Sequence, residues 1–414
     1  MTDYARAIPM PSTLKGTVNN CFHEHHFAAG IQLLESLSSA RDGSKKVYIP
    51  APEHLSLLAT LAVHPDFAND PELYHEVSVP ACRYLRRITS AVGPSACGIG
   101  DIWRFDKHER KSRRKRKLNQ ATGPSKNIDM SKYEVEESLW GNAENLWQVV
   151  GWAFSTGHTA WLGFIRVLLH VLEIDLRDKE PKDSLVVQYL RTDIHSELGW
   201  KKALKAIFAG SAAVSYQVAP IYEVRASADI AGQVGQEELW AMESVLLRQR
   251  LLGLFADVAN TSTLIKKDEL FTNLTSYLFI DLSYDDYIRF ISLARWKERD
   301  EKYLCMTILC NYGTIDGQKI RGPFTKAPFD VSSLLNATSN SKSEFRNAKI
   351  RVVVDRIVQD HYVRQRADPT SRNSSSNQRM ISNGAADNDG ILGEDTVDAQ
   401  MRVLTGINRG YQGI

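Results

Sequence analysis

Apolar residues recur along most of this chain at spacings of three to five, and almost nowhere at spacings of two, which predicts helices rather than strands. From Val18 to Leu37, the residues Phe22, His26 or Phe27, Ile31, Leu34 and Leu37 line one helix face. Residues 41–46 are polar with a glycine and read as a loop. Pro50 and Pro52 precede a helix over His54–Val63, with Leu55, Leu58 and Ala62 inward, and Pro65 ends it. A third helix runs from Pro71 to Val92 on Leu73, Val77, Ala81, Leu85 and Ile88, and Val92-Gly93-Pro94 closes it.

A second helical block follows the acidic residues Glu134, Glu136 and Glu137. Trp140, Trp147, Trp152 and Trp161 crowd into its first part, which is apolar on most of its circumference. Indole rings bury large areas, so this stretch is expected to form a central helix pair, with its turn at Ser155-Thr156-Gly157. Residues 179–183 form a loop. Helices are then expected over Leu185–Leu190, Trp200–Tyr216, Glu237–Val258, Leu264–Leu282, Tyr284–Trp296, Cys305–Tyr312 and Glu344–Val363. Asp316-Gly317 is a hairpin dipeptide able to join short strands at Gly313–Ile315 and Lys319–Gly322. From about Ala367 the chain turns to Ser, Asn, Asp and Gly, a composition that buries too little apolar area to order itself.

The fold class read from this pattern is all-α: an irregular helical-repeat, α-solenoid-like array or multi-helix bundle, with a disordered C-terminal tail. The stacked helix pairs resemble tetratricopeptide-like proteins in architecture. Their consensus of spaced Trp, Leu-Gly, Tyr, Ala and Pro is absent, as is any fixed period, so no family is assigned. Four segments result: a helical block over 1–104, an exposed basic loop over 105–132, the main helical domain over 133–366, and the tail over 367–414. Within the tail, Val397, Met401 and Leu404 fall at i, i+4 and i+7 and offer a short helix formed on a partner.

Charge changes the picture at one place. Lys107 to Lys117 reads KHERKSRRKRK, with Lys107, Arg110, Lys111, Arg113, Arg114, Lys115, Arg116 and Lys117 as its cations and Glu109 as its acid. The whole chain of 414 residues carries a net +2, so everything outside this run is acidic on balance. Such a block cannot be buried unpaired. It reads as a nuclear import signal, a phosphate-contact patch, or both. It has no interleaved aromatics, so any nucleic-acid contact there would be to phosphates, salt-sensitive and poor in sequence preference.

Other chemistry is sparse. The five cysteines are Cys21, Cys82, Cys97, Cys305 and Cys310, odd in number and scattered, as expected of reduced thiols in the cytosol or nucleus. The string Cys21-Phe22-His23-Glu24-His25-His26 holds four potential metal ligands. A helix brings Cys21 and His25 to one face, and no paired motif supplies the rest, so a polar helix face is expected rather than a zinc site. Cys305 and Cys310 lie five apart, which fits core cysteines. Gly98-Ile99-Gly100 lacks the other elements of a phosphate loop, and no nucleophile elbow appears. Asp285-Asp286 suits a helix N-terminus. The N-terminus has no apolar leader, and the apolar run near Trp161–Ile174 is broken by Arg166, His170 and Glu173, so a soluble intracellular protein is expected.

These features together point to a non-enzymatic nuclear adaptor without cofactor, catalytic group or metal. It would bind proteins through helical grooves, and DNA or RNA phosphates or import receptors through the basic loop. The settings that fit are chromatin, DNA repair, transcription and RNA processing. Two rival readings stand beside it: an enzyme whose site is assembled from dispersed residues, and a cytoplasmic scaffold for acidic partners.

Overall fold

The computed structural model describes residues 4–39, 46–103, 105, 133, 137–191, 199–211, 218–222, 241–293, 297–315, 318–320, 334–340 and 343–367. The basic run, the residues Val397, Met401 and Leu404, and the tail lie outside them. The described chain is mostly helical. It divides into two compact units, Met1–Ile357 and Val358–Ile414.

The chain opens with β1 (Arg6–Pro9), which pairs in parallel with β2 (Lys46–Ile49), Arg6 opposite Lys46. Between them lie α1 (Ser12–His23) and α2 (Phe27–Ser39). The single helix expected over Val18–Leu37 is therefore two. His25 takes a left-handed φ of 60°, and the chain turns back so that α1 packs on α2. Gly30 makes that approach possible, since a Cβ there would meet the Phe22 ring at 2.4 Å. The two four-residue strands are too short for alternation to show in the sequence.

α3 (Pro52–Leu61) follows, and Pro65 then begins a new short helix, α4 (Pro65–Ala68), rather than merely ending the last. It occupies the first helical position, where its missing N–H costs nothing. The helical stretch from Pro71 contains a π-helical turn, Tyr74–Ser78, before α5 (Val79–Val92). Pro80 explains the turn: it offers no N–H to the carbonyl four residues back and its ring crowds that carbonyl, so the helix widens. Gly93, at φ 82°, closes α5, and α6 (Ile99–Ile102) follows.

The tryptophan-rich segment gives α7 (Leu139–Asn142), α8 (Leu146–Thr156) and α9 (Thr159–Asp178). Ser138, Asn145 and His158 cap their N-termini, and Gly157, left-handed at φ 63°, ends α8 where the sequence places the turn. Trp140, Trp147 and Trp161 are buried, while Trp152 is only half-buried. α9 packs on α5, α8, α10 (Leu185–Arg191) and α12 (Met242–Thr261), while α11 (Gly199–Ile207) packs on α8 and α10. Asp175, buried in α9, accepts the Leu185 N–H at 2.6 Å and so fixes the start of α10.

α13 (Lys267–Ser276) runs into a second π-helical turn, Tyr277–Asp281, and α14 (Tyr284–Ser292) starts at a Ser283 cap with Asp285 and Asp286 in its first turn. α15 (Glu298–Tyr312) begins upstream of the Cys305 start expected from apolar spacing, because its first turns are charged. β3 (Gly313–Ile315) and β4 (Gln318–Lys319) form the hairpin expected around Asp316-Gly317, and β5 (Ala337–Ser339) adds to the other edge of β3. α16 (Glu344–Ala367) is the last described element, and its residues from Val358 onward belong to the second unit.

Two buried cations hold helix ends. The Arg248 guanidinium, fully buried on α12, donates to the carbonyls of Phe154 (3.1 Å), Ala209 (3.0 Å) and Ile207, and lies over the Phe154 ring. Those carbonyls sit in or just beyond the last turns of α8 and α11, where no intrahelical donor remains. Burial pushes the Arg248 pKa down to about 9, with Asp286 opposing. Lys349 likewise donates to the carbonyls of Phe279 (2.8 Å) and Leu282 (2.7 Å) at the end of the second π-helical turn.

Candidate functional site

Three places among the described residues have the make-up of a site. The first is a polar cluster around a buried histidine, with Asp66 exposed and Glu137 half-buried. His64 caps α4: its Nδ1 accepts the Asp66 N–H at 3.2 Å. That fixes the neutral ring with its hydrogen on Nε2, which lies 3.0 Å from a Glu137 carboxylate oxygen. Tyr133 donates its hydroxyl to Asp66 at 2.9 Å, and its ring stands edge-on to His64 at 4.8 Å. Tyr222 closes the other side at 4.9 Å. Its buried hydroxyl has no hydrogen-bond partner, and burial, aided by the Glu137 charge, pushes its pKa well above the usual phenol range.

His64, Asp66 and Glu137 bring their ligand atoms within 4.8 Å of one another. The hydrogen bonding sets what they can do. A metal on Nε2 must displace the hydrogen that faces Glu137, and a metal on Nδ1 must displace the helix cap. With both ring nitrogens engaged and the His64 side chain 5% exposed, the cluster acts as a latch between α4 and the segment entering α7. Sequence reading missed it because its members are scattered from position 64 to 222. The one local signal, His64-Pro65-Asp66, is that of a helix start.

The second place is a groove along α12, with a cavity volume of about 700 Å³. Leu246, Leu247 and Leu254 contribute its apolar surface, and Met242 stands 63% exposed at one end. Its rim is self-paired: Arg166 with Glu243, Arg250 with Glu173 (2.7 Å), and Lys297 with Asp257. The third place is a smaller groove of about 360 Å³ between α5 and α9, lined by Tyr74, Cys82, Arg83, Arg86, Arg87 and Arg166 among others.

The residues singled out from sequence fall differently. Lys107, Arg110, Lys111, Arg113, Arg114, Lys115, Arg116 and Lys117 lie outside the described residues, as do Val397, Met401 and Leu404. The Cys21–His26 string ends α1 and makes the turn into α2, where its exposed members Glu24 and His26 approach each other at 3.8 Å. Cys305 is buried and Cys310 half-buried, as core cysteines would be, and all five thiols are free. Burial pushes the Cys82 and Cys97 thiols up to about 12, so neither is an activated nucleophile. No described helix is long and apolar enough to cross a membrane.

No known family model matches the chain, and no curated protein is significantly similar to it.

Proposed function

We propose that this protein is a non-enzymatic nuclear adaptor. In this reading an irregular, solenoid-like array of helices presents a groove to partner proteins. The basic run Lys107–Lys117 then serves as an import signal, a phosphate contact, or both, in chromatin, DNA-repair, transcription or RNA-processing assemblies. What supports the reading is that the sequence carries that run and the described residues form the α12 groove. Its leucines and exposed Met242 offer apolar contact, and its rim charges already neutralise one another. Such a surface suits the apolar face of an amphipathic helix from a partner, which need supply no charge of its own. The enzyme reading finds less support. The most convergent set of His and carboxylates among the described residues spends its hydrogen bonds on a helix cap and a latch.

The test is location. A tagged chain is expected in the nucleus, and replacing Arg113, Arg114, Lys115, Arg116 and Lys117 by Ala should shift it to the cytoplasm with folding intact, since solvated surface changes usually stay within about 0.5 kcal/mol. Equal nuclear enrichment of variant and parent, or a parent that is never nuclear, refutes the proposal.

A further inference from the structure

α5 turns Ala81, Leu85 and Ile88 inward, and its opposite face carries Arg83, Arg86, Arg87 and Ser90, all exposed. The spacing is i, i+3, i+4 and i+7, so three guanidiniums share one stripe. α9 lies alongside and adds Arg166 to the groove between them, and the lining of that groove contains no carboxylate. Arg83 is held from outside by Glu35 (2.8 and 3.1 Å), and Arg166 by Glu243. Both remain fixed cations with further N–H groups to give. Arg86 makes no ion pair with a described carboxylate. At the end of the stripe, Ser90 Oγ meets His170 Nε2 at 2.7 Å. Burial and then the Arg86 charge hold the His170 pKa below its usual value, and Arg86 and Arg166 act on the Cys82 thiol in the same electrostatic sense. The lining of the groove carries four cations and no acid, and Glu35 and Glu243 behind it offset part of that charge. Cations one helical turn apart repel each other, a cost that an apolar or mixed ligand would leave in place.

We infer that the α5–α9 groove binds a single strand of nucleic acid, with Arg83, Arg86, Arg87 and Arg166 on its phosphates and Tyr74 stacked on a base. The cations form a row rather than converging on one point. From Arg83 to Ser90 the helix rises about 10 Å at ~1.5 Å per residue. A strand that keeps its bases stacked, with one charge per ~3.4 Å of axis as in a duplex strand, sets about three phosphates against such a row. Tyr74, at the start of the same helical stretch, lines the groove with a half-buried ring, and aromatic platforms beside cation rows are what sequence-tolerant single-strand binding uses. None of these residues belongs to the run Lys107–Lys117, so this site is additional to it and independent of whether that run serves import.

The test uses the full chain and a labelled oligothymidylate of about 15 nucleotides, titrated by fluorescence anisotropy between about 50 and 200 mM salt. It is done on the parent and on the chain in which Arg113, Arg114, Lys115, Arg116 and Lys117 are Ala. On the second background, binding should persist with a slope of log K against log salt near −2, at ~0.7 per phosphate for three phosphates. Adding Arg86→Ala and Arg87→Ala should reduce that slope by about 1.4 and weaken binding at least tenfold at low salt. Tyr74→Leu should weaken binding roughly tenfold and leave the slope unchanged. Circular dichroism of each variant checks the fold. Binding that ignores the double substitution refutes the site. Full displacement by inorganic phosphate at equal phosphate concentration would make it a single-phosphate pocket and refute the strand, as would tighter binding of a phosphopeptide.

Discussion

Acid should destabilise this protein through His54 before it protonates the carboxylates. His54 sits on α3, 1% exposed, with Nε2 2.6 Å from Asn19 Oδ1 on α1 and its ring edge-on to Phe22. Its Nδ1 is buried without a partner. Protonation would place an N–H with nothing to bond in an apolar setting. Burial accordingly pushes the pKa down from 6.5 to about 4; the Glu53 charge opposes the shift and Lys15 adds to it. Between those two values the unfolded chain holds a proton that the folded chain does not. Stability therefore falls as pH falls through 6.5, and the loss is complete below about 4. The gap is worth about 3 kcal/mol at ~1.4 kcal/mol per pKa unit, a large share of a typical total of about 5–15 kcal/mol. Urea unfolding at a series of pH values measures it. Comparison with His54→Gln, which keeps a donor for Asn19 and does not titrate, isolates the histidine from other groups. The parent should lose about 3 kcal/mol more than the variant across the window. Parallel curves would refute the reasoning.

Two further outcomes follow from packing. Arg248→Met should cost about 3–5 kcal/mol in urea or thermal unfolding, because three buried carbonyls lose their donor while the side-chain volume is nearly kept; a variant as stable as the parent would mean the guanidinium is dispensable there. Trp147→Ala should cost about 3–5 kcal/mol, since its ring is buried against Phe255 and its N–H bonds the Tyr189 carbonyl, whereas Trp152→Ala, half-buried, should cost less than half as much; equal losses would contradict the burial difference.

The helical class was legible because apolar spacing survives wherever a helix has one buried face, as in α5 and α9. Boundaries were legible where a glycine or proline has a single use, as at Gly93-Pro94 and Gly157. Other features were not, for identifiable reasons. The break after His23 depends on a left-handed histidine, a preference too weak to mark the turn among His23, His25 and His26, and on Gly30 receiving a ring from the preceding helix. The π-helical turn before α5 is a response to Pro80, inside a stretch whose apolar period runs on. β5 joins a sheet through a pairing more than twenty residues distant. The His64 latch unites residues that share no local pattern. The arginine stripe of α5 was the exception: it is visible in the sequence as the polar complement of Ala81, Leu85 and Ile88, and a reading intent on inward faces passes over it.

The dependence of α8 and α11 on Arg248 has a consequence for synthesis. The Phe154 carbonyl waits for a side chain 94 residues later in the chain, and Ala209 for one 39 residues later. At roughly 5–20 residues per second on the ribosome, the end of α8 goes without its donor for about 5–20 s. During that interval the faces of α8 and α9 that α12 covers, including the Trp147 ring that packs on Phe255, stay open to other chains, although α9 can already rest on α5. The emergence of α12 is the event that ends this exposure. A ribosome that stalls before residue 248 would therefore release a chain prone to aggregate rather than a smaller folded protein.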